Sequence, residues 1–253
     1  MMKKTINEKI ILDMTKKLTF ILLTIAAALS CVAQEGKMGR YEVKVGDFKV
    51  LRVVNDINVD YISHPDSAGM VVFYTTPDKQ NAFLFDNNQK GKLSIELATD
   101  EALSPSGLPT LRVYSRFLQE AQNDGDSLLQ IVKVTPAPKL KFKVVGNGVL
   151  KAHDVEATTV EAILNTGCGD VIVSGKCTEA VLKLTGSGNV TADNLPAKSV
   201  KCHILGTGRI RCNIDNGPLS IKGTGSGKVY YRGTPTETKS FQLGTIKAIA
   251  ITD

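Results

Sequence analysis

Between Phe142 and Tyr231 the chain alternates apolar and polar residues in short runs, and each run meets a glycine phrase at the same offset. The phrase reads Gly146-Asn147-Gly148, Gly167-Cys168-Gly169, Gly186-Ser187-Gly188, Gly206-Thr207-Gly208 and Gly225-Ser226-Gly227. Its first glycines lie 21, 19, 20 and 19 residues apart. Two positions after the second glycine stand Leu150, Val171, Val190, Ile210 and Val229, and four after it Ala152, Val173, Ala192, Cys212 and Tyr231. Six before it stand Phe142, Ile163, Leu182, Cys202 and Ile221. These three columns are expected to face inward. One position after the second glycine, Val149, Asp170, Asn189, Arg209 and Lys228 form a mostly polar column expected to face water. A period of two means strands with one side buried.

A near-constant period of this length means stacked turns. One turn cannot bury its own apolar side, but stacked neighbours make a continuous core. The expected fold is therefore all-β, a β-solenoid with turns of about 20 residues, each glycine phrase marking a corner where the backbone bends sharply. A sandwich of hairpins would repeat its turns every ~8–12 residues, a shorter step than this one.

Upstream the runs are less regular. Strands are expected at 48–53, 57–61, 70–74, 82–85, 93–97, 111–114, 130–134 and 139–145, with a loop over 99–109. Residues 115–123 read as one or two helical turns, and 241–251 as a closing run. The domain reading is a leader over 34–45 and one solenoid domain over 46–253. Its irregular turns (46–140) act as the first turns or a cap, and its regular turns occupy 141–245. Terminal repeats are commonly atypical.

Residues 14–33 change the picture of the N-terminus. Lys16 and Lys17 precede an apolar stretch from Leu18 to Leu29, and small residues follow. That is a secretory signal, too short for a membrane span. The polar residues before it suggest Met14 as the start. Cys31 is a candidate lipidation site, but Ala28 stands three before it where a lipoprotein signal carries a larger aliphatic residue. Simple cleavage after Ala33 is the favoured alternative. Protein export follows, to the periplasm, the outer membrane surface or the medium. Any membrane association would run through an N-terminal lipid.

The full chain carries a net charge of +6, and three of those charges lie in residues 1–33. The remainder has no basic cluster with interleaved aromatics, so no nucleic-acid partner is expected. Cys168, Cys177, Cys202 and Cys212 remain beyond the signal. Cys202 and Cys212 fall in inward columns and read as unpaired core thiols. Asp154, Asp170, Asp193 and Asp215 fall at different offsets from the glycines, so paired-carboxylate chemistry has little support. His64, His153 and His203 sit in no catalytic motif, and His203 should point outward beside Cys202. No catalytic, metal or cofactor residue is assigned. Phosphate-loop chemistry needs a helix after the glycines, and strands follow them here. The column Asp170, Asn189, Arg209 and Lys228 is the regular polar feature, read as a solvated ladder or as a ligand-facing stripe.

The phrases Leu-Asn-Thr-Gly-Cys-Gly-Asp-Val, Leu-Thr-Gly-Ser-Gly-Asn-Val and Gly-Thr-Gly-Ser-Gly-Lys-Val-Tyr-Tyr-Arg-Gly-Thr-Pro resemble those of the putative auto-transporter adhesin head domain, or head GIN domain. The likeness reaches upstream to Leu108–Ser115. Leu205, Arg209 and Lys228 depart from the family pattern, which favours Asp at the last two positions. The resemblance implies a right-handed parallel β-helix on an exported protein, with no catalytic residues. The expected function is a binding module, a cell-surface adhesin whose partner is a glycan or a protein. The alternatives are a polysaccharide-active lyase or hydrolase on the same fold, and a periplasmic lipid- or envelope-binding protein.

Overall fold

A computed structural model describes residues 37–88, 91–98 and 107–251. The expected signal (1–33), the Met14 start, Cys31 and most of the 99–109 loop lie outside the described residues. The described residues all belong to one compact unit.

The strands of the N-terminal part are β1 (Gly39–Lys44), β2 (Val50–Val53), β3 (Val59–Ser63), β4 (Met70–Thr75), β5 (Phe83–Asn88), β6 (Lys92–Leu97), β7 (Leu111–Ser115), β8 (Glu120–Asn123) and β9 (Leu128–Lys133). The regular part holds β10 (Ala137–Val144), β11 (Val149–Asn165), β12 (Asp170–Gly186), β13 (Asn189–Gly206), β14 (Arg209–Ile214), β15 (Pro218–Gly225), β16 (Lys228–Gly233), β17 (Glu237–Gly244) and β18 (Lys247–Ala250). Single 3-10 turns stand at Pro65–Ser67 and Pro77–Lys79. Together the strands build a β-solenoid of about seven turns with a spacing of about 20 residues.

Each regular turn has two long sides. The first half of β11 pairs in parallel with the first half of β12, and the second half with the second; the register shifts at the corner between Ala152 and Val155. β12 meets β13 in the same way. Beyond β13 the two sides become separate strands. The first side continues through β14, β16 and β18, the second through β15 and β17.

Alternation decides what is buried. On the first side Leu150, Val171, Val190, Ile210 and Val229 stack in register and are fully buried. Full burial of each is worth about 1.5–3 kcal/mol. On the second side the buried column is Phe142, Ala162, Leu182, Cys202 and Ile221. This corrects the column read from the sequence. Ile163 is not inward; it pairs with Lys143 and Lys183 and faces out. The 21-residue step carries one extra residue, and the structure puts it after Leu164, where Thr166 adopts a φ of +74°. Counting back from Gly169 therefore lands one place late.

The two glycines of each phrase do different work. The first, as at Gly186 with φ +122°, takes a left-handed backbone that a side chain would strain. The second, as at Gly188, leaves room for the turn below: a Cβ there would sit 2.0 Å from the carbonyl oxygen of Gly169. A sixth phrase, Gly244-Thr245-Ile246, continues the series, since Gly244 pairs with Gly225. Its second glycine is replaced by Ile246, which turns in and is 7% exposed.

The N-terminal part does not stack in sequence order. Along the first side the strands run β1, β4, β7, β3, β9, β11. Along the second they run β5, β6, β2, β8, β10, β11. The turn made by β2 and β3 is thus sandwiched between the β6–β7 turn and the β8–β9 turn. Antiparallel pairings of β1 with β4, β4 with β7 and β5 with β6 stand at the end of the stack, outside the parallel coil. Residues 115–123 are not helical: Leu118 is buried and β8 pairs in parallel with β2 and β10. Within the expected leader, Gly39–Lys44 is strand β1, paired with β4.

Candidate functional site

The stripe singled out in the sequence stands on the outer face of the first side. Val149, Asp170, Asn189, Arg209, Lys228 and Lys247 pair in one register, one residue per turn. Neighbouring rungs lie about 4.8 Å apart, so adjacent side chains are forced together. Asn189 donates from Nδ2 to Asp170 Oδ1 at 2.7 Å. The adjacent outward column runs Ile172, Thr191, Arg211, Tyr230 and Ile249. Arg211 donates from Nε to Asp193 Oδ2 at 3.1 Å, and its guanidinium lies 5.8 Å from the centre of the Tyr230 ring.

Charge changes along the stripe. Asp170 and Asn189 satisfy each other, while Arg209, Lys228 and Lys247 stack with no carboxylate partner among the described residues. Like charges directly opposite on paired strands are unfavourable. Lys247 was not among the residues singled out from the sequence. The signal was there, since it follows the sixth phrase as Lys228 follows the fifth.

The other sequence candidates are dispersed. Asp193 is engaged by Arg211, and Asp215 by Lys198 at 2.7 Å. Asp154 is exposed at the corner, where it adopts a φ of +53°. The four repeat aspartates therefore do not converge as a pair. His153 contacts Ser174 Oγ at 3.1 Å, on the corner. His203 points outward, as expected; partial burial, then Lys183, Lys222 and Lys201, hold its pKa below the ordinary value. Among the described residues no group of three or more His, Cys, Asp or Glu side chains is placed to hold a metal.

Cys202 and Cys212 are buried, free and 4.0 Å apart at sulfur. The hydrogen bond from Cys202 to Cys212, then burial, pushes the Cys202 thiol well above its ordinary range. Burial and Glu179 raise Cys177 to about 12. Cys168 is exposed beside Ser187, its sulfur 3.0 Å from Oγ.

Shallow depressions mark the surface of the described residues. A cleft of about 440 Å³ lies near the N-terminal end of the first side, with Asp60, Arg112 and Tyr74 in its wall. A groove of about 330 Å³ runs along the second side, lined by Lys183, Thr185, His203, Leu205, Lys222 and Thr224. The sequence reading had marked neither.

The sequence profile of the putative auto-transporter adhesin, head GIN domain family matches residues 47–235. The chain belongs to this family. The fold of this head GIN domain chain is shared by a putative adhesin from Bacteroides fragilis, with a TM-score of 0.77 at 20% identity over 86% of this chain and 98% of that one. A putative lipid binding protein from Parabacteroides distasonis matches with a TM-score of 0.67 at 18% identity, over 86% and 98% of the two chains. A putative adhesin from the same organism has a TM-score of 0.68 at 16% identity, over 85% and 98%. Those solved chains are matched over nearly their whole length, so in them this fold stands by itself. No curated protein matches the chain.

Proposed function

We propose that this chain is an exported binding module, a cell-surface adhesin that meets its partner through the outer face of the first side. The observation that carries this reading is the stripe Asp170, Asn189, Arg209, Lys228. Four polar side chains are held in one register on consecutive rungs. A rigid sheet fixes the backbone that displays them, so binding costs only the ordering of the side chains themselves. The partner is a surface glycan or protein. Membership of a family described as adhesins, and a fold shared with solved putative adhesins, support the same reading.

The test is a glycan and matrix-protein array probed with the chain from Gln34, alongside an Arg209→Ala/Lys228→Ala variant. Saturable retention that falls at least tenfold in the variant is the expected result. Equal retention by both would remove the stripe from the function. Reducing-sugar and unsaturated-product assays on any bound polymer belong in the same experiment, because turnover would replace adhesion by the polysaccharide-active reading.

A further inference from the structure

The second long side carries a surface unlike the stripe. Its outward columns on β12, β13, β15 and β17 are Lys183, His203, Lys222, Phe241 and, beside them, Thr185, Leu205, Thr224, Leu243. None of these eight positions holds an acid. Lys222 has no carboxylate partner among the described residues. Lys183 reaches Glu161 Oε1 at 3.7 Å, but Lys139 takes the other oxygen of that carboxylate at 3.2 Å. The groove between the two columns is therefore cationic, with the Thr185 and Thr224 hydroxyls on its wall.

Apolar side chains stand beside these cations. Leu205 is 54% exposed, Leu243 56% and Phe241 65%. Leu205 and Leu243 flank Thr224 in one column, and Phe241 follows Lys222 in the other. Single exposed hydrophobic residues are ordinary on a soluble surface. Three gathered at the edge of a cationic groove are not, and such patches mark contact sites.

We propose that this corner of the second side docks on an anionic phospholipid surface, with phosphate headgroups in the groove between Lys183, His203 and Lys222 and Leu205, Phe241 and Leu243 entering the boundary beneath them. The arrangement has the two parts that interfacial binding needs, apolar area to bury and cations for the headgroups. A free phosphate would use the groove and leave the apolar corner in water. The site is separate from the stripe on the first side, and either can fail without the other.

The experiment is flotation of the chain from Gln34 with vesicles of phosphatidylcholine alone or mixed with phosphatidylglycerol. Binding to the mixed vesicles only, weakened by added salt as screening requires, is expected. Lys183→Gln/Lys222→Gln and Leu205→Ser/Phe241→Ser/Leu243→Ser should each lower partitioning at least tenfold, while Lys49→Gln leaves it unchanged. All six substituted positions are partly or fully exposed, so the fold survives. In parallel, imidazole NMR of the unsubstituted protein should show the His203 pKa rising on titration with short-chain phosphatidylglycerol, with His64 and His153 unmoved. Equal binding to both vesicle types, or binding to neither, overturns the proposal. So does inorganic phosphate moving His203 at the same concentration as the lipid, which would make the groove a simple anion site.

Discussion

Arg52 donates from Nε to Asp124 at 2.6 Å across 72 residues of chain, whereas Asn189 reaches Asp170 across only 19. The contrast runs through both regions. In the N-terminal part the backbone N–H of Arg116 donates to Asp47, that of Asp126 to Asp56 and that of Leu128 to Asn58, each about 70 residues away. In the regular turns the ladder links each residue to the next turn, so contacts are local and repeat. The cores differ too. Phe48, Tyr61, Phe73 and Phe83 fill the N-terminal part, with the Phe73 and Phe83 rings 5.3 Å apart. The regular turns are filled by aliphatic residues and two thiols, with Phe142 as their one fully buried ring among the described residues. Stacked repeats propagate from a neighbour, but an end has none. The N-terminal end is closed by rearranged strands with an aromatic core, whereas in the last turn, from β17 on, Ile246 is the one buried side chain among the described residues.

The largest effect is expected from the aromatic end. Phe73→Ala should cost about 3–5 kcal/mol. Hydrogen exchange should then show β1 to β7 losing protection while β12 and β13 keep theirs. Uniform loss would mean that the two regions unfold as one. Next is Gly188→Ala, which sets a Cβ against the Gly169 carbonyl and should cost about 1–3 kcal/mol as overpacking does. Urea unfolding would measure it, and exchange should loosen around β12 and β13 and spare the end. A neutral result would show that the turns can separate locally.

Tyr61→Phe is a finer probe. The Tyr61 hydroxyl sits 2.9 Å from Ser63 Oγ and 2.7 Å from Ser115 Oγ, both buried. Losing it leaves their hydroxyls short of a partner, at about 1–3 kcal/mol. Burial raises the Tyr61 pKa, so the folded state keeps the proton longer than the unfolded one. Stability should fall as pH rises through 10, and this part of the fall should vanish in the variant.

The smallest effect belongs to His203. Its pKa is held below the ordinary 6.5, so the unfolded chain takes up a proton first. Stability is then full above that pH and declines as pH drops through it. His203→Gln should flatten this slope, and an unchanged slope would remove His203 as its source. The group is largely open to solvent, which keeps the effect slight.

Much of the regular region could be read directly. Leu150, Val171, Val190, Ile210 and Val229 are inward because a strand points alternate side chains to opposite faces, and that follows from local covalent geometry. The same rule puts Asp170, Asn189, Arg209 and Lys228 outward in one column, and made Cys202 and Cys212 core positions. Where the period faltered, local counting failed. The extra residue at Thr166 could equally have lain in the strand, and only pairing with both neighbours shows Ala162 inward and Ile163 outward.

The order of the N-terminal strands has no local signature at all. Strands β2, β6 and β8 are each short alternating runs, and nothing in them says that β2 lies between the other two. Residues 115–123 read as helical for the same reason, since the partners of β8 are far away in sequence. The cationic groove was hidden likewise: Lys183, His203 and Lys222 are about 20 residues apart, and Leu205 and Leu243 look like stray exposed apolar residues. The sequence by itself determined the strand, its inward face and the repeat. Tertiary structure alone decided which strands are neighbours, because that choice is settled by summed burial and pairing over the whole coil against the entropy of closing long loops.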